Sequence, residues 1–426
     1  MILAVLTASL TIVSNGIAGA FSTTVGKLIG LFTLWCIICV PFSQWKGGSF
    51  NVLTDEIIRS FLVFVMVSTA INTVTRIQGL MAIMGSGIVV TMLIALIGNH
   101  RVDGRLTMSA GQYSNPNDLA QIMLLGMCFL PILGTWLNNS SLKWLTYLMM
   151  VPFLYTIFIT GSRGALIGAV LLGCFAVAFA SAGVRVLLIV LFPALVGGLL
   201  AASPTARLRL DSLIHSSQVT EMGTSEDKAI SSTSERLRTL QQSIELTVKN
   251  PIFGVGPGVF QSAAADLQRA DGQRASWIET HNAYTQVSSE TGIPGAIFFC
   301  SAVLVSLREL FRIRKRTRKL PQLAKLQDTA TLLLLGFVTF AVTSFFSSVA
   351  YGFIFWSLFG LCAASISTIR FELACATSPV PRAISLPKFD TPAPPVTPQP
   401  TTRVTLSGKM KPSRNHSPGV HNSFRG

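Results

Sequence analysis

Apolar positions in this chain come in long unbroken runs separated by short polar breaks. The runs lie at about 1–20, 26–42, 57–75, 77–98, 119–137, 142–160, 163–182, 184–202, 293–308, 329–348 and 351–371. A run of roughly 18 apolar residues is long enough, as a helix, to cross about 30 Å of hydrocarbon. The pattern predicts an all-α fold, a polytopic transmembrane helix bundle of about eleven spans. The first run begins at residue 1 with no basic flank and reads poorly as a signal peptide. The expectation is therefore eleven spans, or twelve with a further N-terminal helix. Residues 1–202 form the N-terminal part of the bundle, 203–292 a large hydrophilic loop, 293–371 the C-terminal helices, and 372–426 a Pro-rich tail.

The loop has its own pattern. Residues 205–231 are polar. Ser232-Thr-Ser-Glu235 has the spacing of a capping box. The helix it is expected to open puts Leu237, Leu240, Ile244 and Val248 on one stripe, suited to lying along a membrane surface. Asn250-Pro251 ends it, and Phe253-Gly-Val-Gly-Pro-Gly258 follows as a tight turn that lets backbone approach a ligand. No βαβ unit surrounds these glycines, so they are not a dinucleotide fingerprint. A second helical stretch runs from about Thr280 towards Gly292. The tail holds ten prolines and no apolar periodicity, and reads as disordered.

Charge changes the picture once it is mapped. The chain has 426 residues and a formal net charge of +15, with only 12% charged residues, against about 25% in soluble domains. The break at 309–328 carries seven Lys and Arg, which marks it as cytoplasmic by the positive-inside rule. Alternating outward from it leaves an excess of +16 inside and −1 outside. The basic balance records topology, and nucleic acid is not implied as a partner. The tail falls inside, and the loops 99–118 and 203–292 fall outside. Six of the seven cysteines lie in expected spans and none in the large loop, so they read as small buried hydrophobes.

Few residues carry candidate chemistry. His281, in His281-Asn-Ala-Tyr284, is one of five histidines, and two others (His416 and His421) lie in the tail. A neutral imidazole can accept a proton, or the residue can serve as a helix cap. Arg163 sits in Gly161-Ser162-Arg163-Gly164, where one span ends and the next begins. A cation at a helix N-terminus opposes the macrodipole, which makes sense where an anion binds; the alternative is an interfacial anchor. Arg236 lies on the loop helix. Glu290 is nine residues from His281, out of phase with it on a regular helix, and suits a structural role at the helix end. No second His or Cys sits at ligand spacing for zinc, and Asp-x-Asp, Walker and Gly-x-Ser-x-Gly motifs are all missing. No metal and no cofactor is expected.

Taken together these features resemble the O-antigen ligase-like family, which includes O-antigen ligases, repeat-unit polymerases and protein O-oligosaccharyltransferases. The residues that carry the resemblance are Asn115-Pro116-Asn117, Gly161-Ser162-Arg163-Gly164, Arg236, Asn250 to Gly258, His281-Asn282-Ala-Tyr284 and Glu290-Thr-Gly292. It is strongest over about 105–300. It implies a glycosyltransferase in the bacterial inner membrane, acting on the periplasmic side. The donor would be a glycan on undecaprenyl diphosphate, and the acceptor a hydroxyl of a sugar, a lipid-linked glycan or a protein. Arg163 and Arg236 would bind the diphosphate, and His281 would contact or deprotonate the acceptor. Asn115, Asn117, Ser162, Asn282, Tyr284 and Glu290 would shape the substrate site. A single displacement would invert the anomeric carbon.

Two other classes stand beside this reading. A transporter or flippase predicts polar residues near the membrane midplane, and the expected span interiors hold almost none. A non-catalytic component of polysaccharide export predicts that His281 is dispensable.

Overall fold

A computed structural model describes residues 17–179, 185, 197, 225–318, 320 and 323–377 of the chain. Residues 1–16 of the first expected span, most of the expected span 184–202 and of the polar stretch 205–231, and the tail beyond residue 377 lie outside the described residues.

The fold is all-α apart from one two-residue hairpin. In chain order the helices are α1 (Thr24–Cys39), α2 (Lys46–Val52), α3 (Ile58–Ala70), α4 (Val74–Gly98), α5 (Pro116–Phe129), α6 (Ile132–Trp136), α7 (Ser140–Leu148) and α8 (Met150–Thr160). They continue as α9 (Arg163–Phe179), α10 (Ser225–Lys249), α11 (Phe260–Ala270), α12 (Ala283–Thr317), α13 (Ala324–Thr343) and α14 (Phe353–Thr377). Among the described residues six helical segments are long and apolar enough to cross a membrane: Thr24–Phe42, Val74–Gly98, Pro116–Trp136, Ser140–Thr160, Ala324–Phe346 and Phe353–Glu372. This is a multi-pass membrane protein. The expected span 57–75 is a helix of 13 residues that continues from a π turn at Leu53–Ile57, and α9 has 17 residues. The run 293–308 lies in the second arm of α12. Helix α14 continues to Thr377, so the first residues of the expected tail are helical.

The polar breaks supply the caps that start these helices. Thr23, Thr73, Asn115, Asn139 and Asn282 each accept a hydrogen bond from a backbone N–H in the first turn of α1, α4, α5, α7 and α12. Asn99 takes a left-handed conformation and stops α4.

Helix α5 is the centre of the bundle, with most of its residues buried against α4, α8 and α13. Gly126 permits that approach, because a Cβ there would press into Ile88 and the Phe153 ring. Around α12 and α14 the core is aromatic: Phe299, Phe337, Phe355 and Phe359 meet mostly edge to face. Buried polar groups are used between helices. Gln78 donates to Thr329 at 3.0 Å, and Gln121 donates to Ser344 at 3.1 Å. Cys36 and Cys39 are free and buried, as small hydrophobes would be.

The loop helix differs from expectation. Helix α10 begins at Ser225, so Ser232–Glu235 lies inside it and does not open it. No Gly or Pro separates the two points. Its inward face is Thr239, Gln242, Ser243 and Leu246, while the stripe residues Leu237, Ile244 and Val248 are exposed.

The Gly-rich turn also differs. It approaches the protein's own helix instead of a ligand. Val255 donates to the Ser289 carbonyl and Gly256 to the Glu290 carbonyl, both at 2.9 Å, while Ile293 donates to the Pro251 carbonyl at 2.8 Å. Helix α12 kinks there: Gly292 has φ 73° and ψ −175°, and Pro294 follows. A Cβ on Gly292 would collide with the Ile252 carbonyl, and one on Gly254 with the Glu290 backbone. The turn and the kink thus form one interlocked unit. It ties the loop to the bundle and sets the entry angle of α12.

Candidate functional site

Three separate connections meet over the end of α5. The first is the hairpin Arg101–Val102 and Arg105–Leu106, closed by Asp103 and Gly104, both at positive φ. That is the signature of a tight two-residue hairpin turn. It carries Arg105 back towards the bundle. The guanidinium donates through Nε to the Thr160 carbonyl and through its terminal nitrogen to Asn117 Oδ1, each at 2.8 Å. The second is the break between α8 and α9. Gly161 turns left-handed to end α8, and Arg163 opens α9. Gly164 lets this start sit against Phe346, whose ring a Cβ would strike. The third is the turn Glu279–Asn282 before α12, which holds His281 at φ 52°.

That φ is uncommon for a residue with a side chain. Neighbours impose it. The His281 N–H donates to the Ser348 hydroxyl at 2.9 Å, Thr280 Oγ1 lies 3.0 Å from the same hydroxyl, and Asn282 caps α12. Strained backbone held in this way clusters at functional sites.

These connections and the exposed side of α10 enclose a cavity of about 380 Å³. Arg105, Arg163, Arg236 and His281 line it, with Asn117, Thr280 and Asn282. Its other wall is apolar, formed by Ile167, Leu237, Leu240, Phe345 and Phe346. Among the described residues no carboxylate lines it. The field is therefore positive, and it acts on the histidine. Burial, then the charges of Arg236 and Arg105, push the His281 pKa down from 6.5 to about 4. The imidazole is neutral at pH 7. Its Nδ1 is buried and has no hydrogen-bond partner among the described residues, a cost of about 1–3 kcal/mol that a polar ligand atom would remove.

The three residues singled out for chemistry, His281, Arg163 and Arg236, thus share one cavity, and Asn117 and Asn282 share it with them. The structure does not bring the other candidates there. The Asn115 side chain accepts from the Asn117 N–H and caps α5. Ser162 is buried and caps the first turn of α9. The Tyr284 hydroxyl donates to the Ala341 carbonyl at 2.8 Å and its ring stacks on Phe345, so it joins α12 to α13. Glu290 is buried and accepts from the Gly258 N–H at 2.8 Å and, more weakly, from Phe260. It holds the Gly-rich turn and does not reach His281. Arg105 is the residue that sequence reasoning missed. The available signal was the Asp103-Gly104 dipeptide, which closes a hairpin and so aims the next side chain back at the bundle.

Residues 148–300 match the family model described as O-antigen ligase. No curated protein matches the chain. The matched stretch contains Arg163, Arg236 and His281; Arg105 and Asn117 precede it.

Proposed function

We propose that this chain, whose residues 148–300 match the O-antigen ligase family model, is a membrane glycosyltransferase of that type, and that its arginine-lined cavity takes a glycan linked to undecaprenyl diphosphate and transfers it to an acceptor hydroxyl on the periplasmic side. The observation that carries this reading is the convergence of three guanidinium groups and one neutral imidazole on a cavity that no carboxylate lines among the described residues.

The chemistry follows from the charges. The bond between the anomeric carbon and the diphosphate breaks, and negative charge grows on the leaving oxygens. Fixed guanidinium groups stabilise that charge where it develops, and their planar forks suit phosphate oxygens. Arg163 comes from the start of α9 and Arg236 from α10, and Arg105 is held in place by Asn117 and Thr160. The apolar wall of Leu237, Leu240 and Phe345 offers the lipid chain a way out towards the bilayer. On the other face of the anomeric carbon the acceptor hydroxyl attacks and gives its proton to His281. The new C–O bond forms as the old one breaks, so the sugar inverts.

A pKa of about 4 makes free His281 a weak base. Burial is the larger cause of this, and the charges of Arg236 and Arg105 are the smaller one. The negative charge of a bound diphosphate offsets those two charges, so the base strengthens when the donor is in place. Ligase and polymerase differ only in the acceptor and share this step. The test is complementation: cells lacking the native gene receive His281→Ala, Arg163→Ala or Arg236→Ala. Loss of surface glycan with stable, membrane-inserted protein is expected. Normal surface glycan from all three overturns the reading, and favours a non-catalytic role.

A further inference from the structure

A second cavity, of about 200 Å³, adjoins the first and has the opposite character. Glu56, Glu279 and Glu290 line it, with Gln261, Gln286 and Tyr351. Thr280 and its neighbourhood join the two: Thr280 lines both cavities, and Ser348, which lines the second, holds the His281 backbone of the first. The second cavity is built from distant segments. Glu56 comes from the π turn Leu53–Ile57, Glu279 from the strained turn, Gln261 from α11, and Tyr351 from the connection between α13 and α14.

Its chemistry is that of hydrogen bonding to neutral hydroxyls. Burial, and then the charges of Glu279 and Asp55, hold the Glu56 carboxyl above its ordinary range; burial does the same for Glu279. Tyr351 is 2% exposed, its hydroxyl lies beside the Glu290 carboxyl, and it makes no hydrogen bond of normal geometry among the described residues. A buried hydroxyl left in this state calls for a partner from the cavity. Among the described residues no Lys, Arg or His lines it to pair with an anion. The carboxyls do not converge as metal ligands, since no cluster of three such groups suited to an ion occurs among the described residues. Carboxyl, carboxamide and phenol groups around a small polar space suit a monosaccharide, whose hydroxyls both donate and accept.

We propose that this acidic cavity is the acceptor subsite: it binds a neutral sugar and presents one of its hydroxyls to His281 across Thr280. The proposal rests on reading the arginine cavity as the donor site. In the transfer, the acceptor O–H bond breaks, its proton goes to the imidazole, its oxygen bonds to the anomeric carbon, and the diphosphate leaves with the electron pair of the broken glycosyl bond.

The test uses full-length purified protein, a lipid-diphosphate-linked glycan as donor and a panel of neutral methyl hexosides as acceptor probes. Glu279→Gln and Glu56→Gln are expected to raise the acceptor KM by about tenfold, the worth of one good hydrogen bond, and to leave donor binding within about twofold of the parent. Gln261→Phe, which fills the cavity without touching a carboxyl group, is expected to do the same. An unchanged acceptor KM in all three folded variants overturns the subsite. Failure of the donor reading looks different: Arg163→Ala and Arg236→Ala would then leave donor binding unchanged.

Discussion

The backbone N–H of His281 donates to the hydroxyl of Ser348 at 2.9 Å. This bond joins the turn before α12 to the connection before α14, two segments 67 residues apart, and fixes the left-handed turn from which the imidazole enters the cavity. Ser348 is a positioning residue on this account. Ser348→Ala is expected to lower kcat by about 10- to 100-fold, because misplacing a reacting group by about 1 Å costs on that order, with donor binding unchanged. Ser348→Thr, which keeps the hydroxyl, is expected to restore much of the rate. Equal loss in both variants contradicts a role through the hydrogen bond.

Arg105 is expected to hold donor phosphate although it precedes the matched family segment. Arg105→Ala removes a charge-assisted contact worth about 1.5–3 kcal/mol, so donor affinity should fall by about 10- to 100-fold. Arg105→Lys should recover only part of this, because an ammonium cannot bond the Thr160 carbonyl and Asn117 together in the same fork. Titration of the donor against each variant measures the effect, and unchanged affinity in both removes Arg105 from the site.

The electrostatics of His281 predict a pH signature. Its pKa in the folded protein is about 4, below its ordinary 6.5, with burial as the larger cause and Arg236 and Arg105 behind it. As pH falls from about 6.5 to about 4, the unfolded chain takes up the proton and the folded protein does not, so this group costs stability progressively across that window and nothing above it. Inorganic pyrophosphate bound to the cavity, or Arg236→Ala, weakens the positive field and should raise the pKa. NMR titration of labelled imidazole reads both shifts. A pKa unmoved by either means that the arginines do not face the histidine.

Much of this molecule was legible in the sequence, and the reasons are physical. Membrane helices announce themselves because nearly every position in a long run must be apolar, so the run 77–98 falls on α4 and the run 119–137 on α5 and α6. Arg163 and His281 stood out because a cation at a helix start and a polar His-Asn pair before a span have few structural uses. Arg236 was a candidate on the loop helix, and its role came from the family resemblance. The errors came where tertiary contacts decide. Nothing local to Tyr284 says that its hydroxyl is already bonded, because its partner, Ala341, is 57 residues away. The glycines of residues 254–258 looked like a ligand loop because close backbone approach reads the same in sequence whether the visitor is a substrate or the kink at Gly292.

That kink carries a prediction of its own. With φ 73° and ψ −175°, Gly292 occupies a region that is essentially confined to glycine. Gly292→Ala adds backbone strain of about 1–3 kcal/mol as well as a clash with the Ile252 carbonyl. It should lower the thermal unfolding midpoint in detergent by several degrees, whereas Gly87→Ala, where a Cβ meets open space, should not. Equal midpoints mean that the turn and the kink are not interlocked as described.

The most direct measurement is transfer from a lipid-diphosphate-linked glycan by purified His281→Gln protein, with donor binding measured on the same sample. Removing a positioned base costs about 10²- to 10⁴-fold, and the substitution leaves the guanidinium groups of Arg105, Arg163 and Arg236 in the cavity. The prediction is donor binding within a few-fold of the parent and transfer reduced by at least about 100-fold. Transfer at the parental rate by the folded variant contradicts the account.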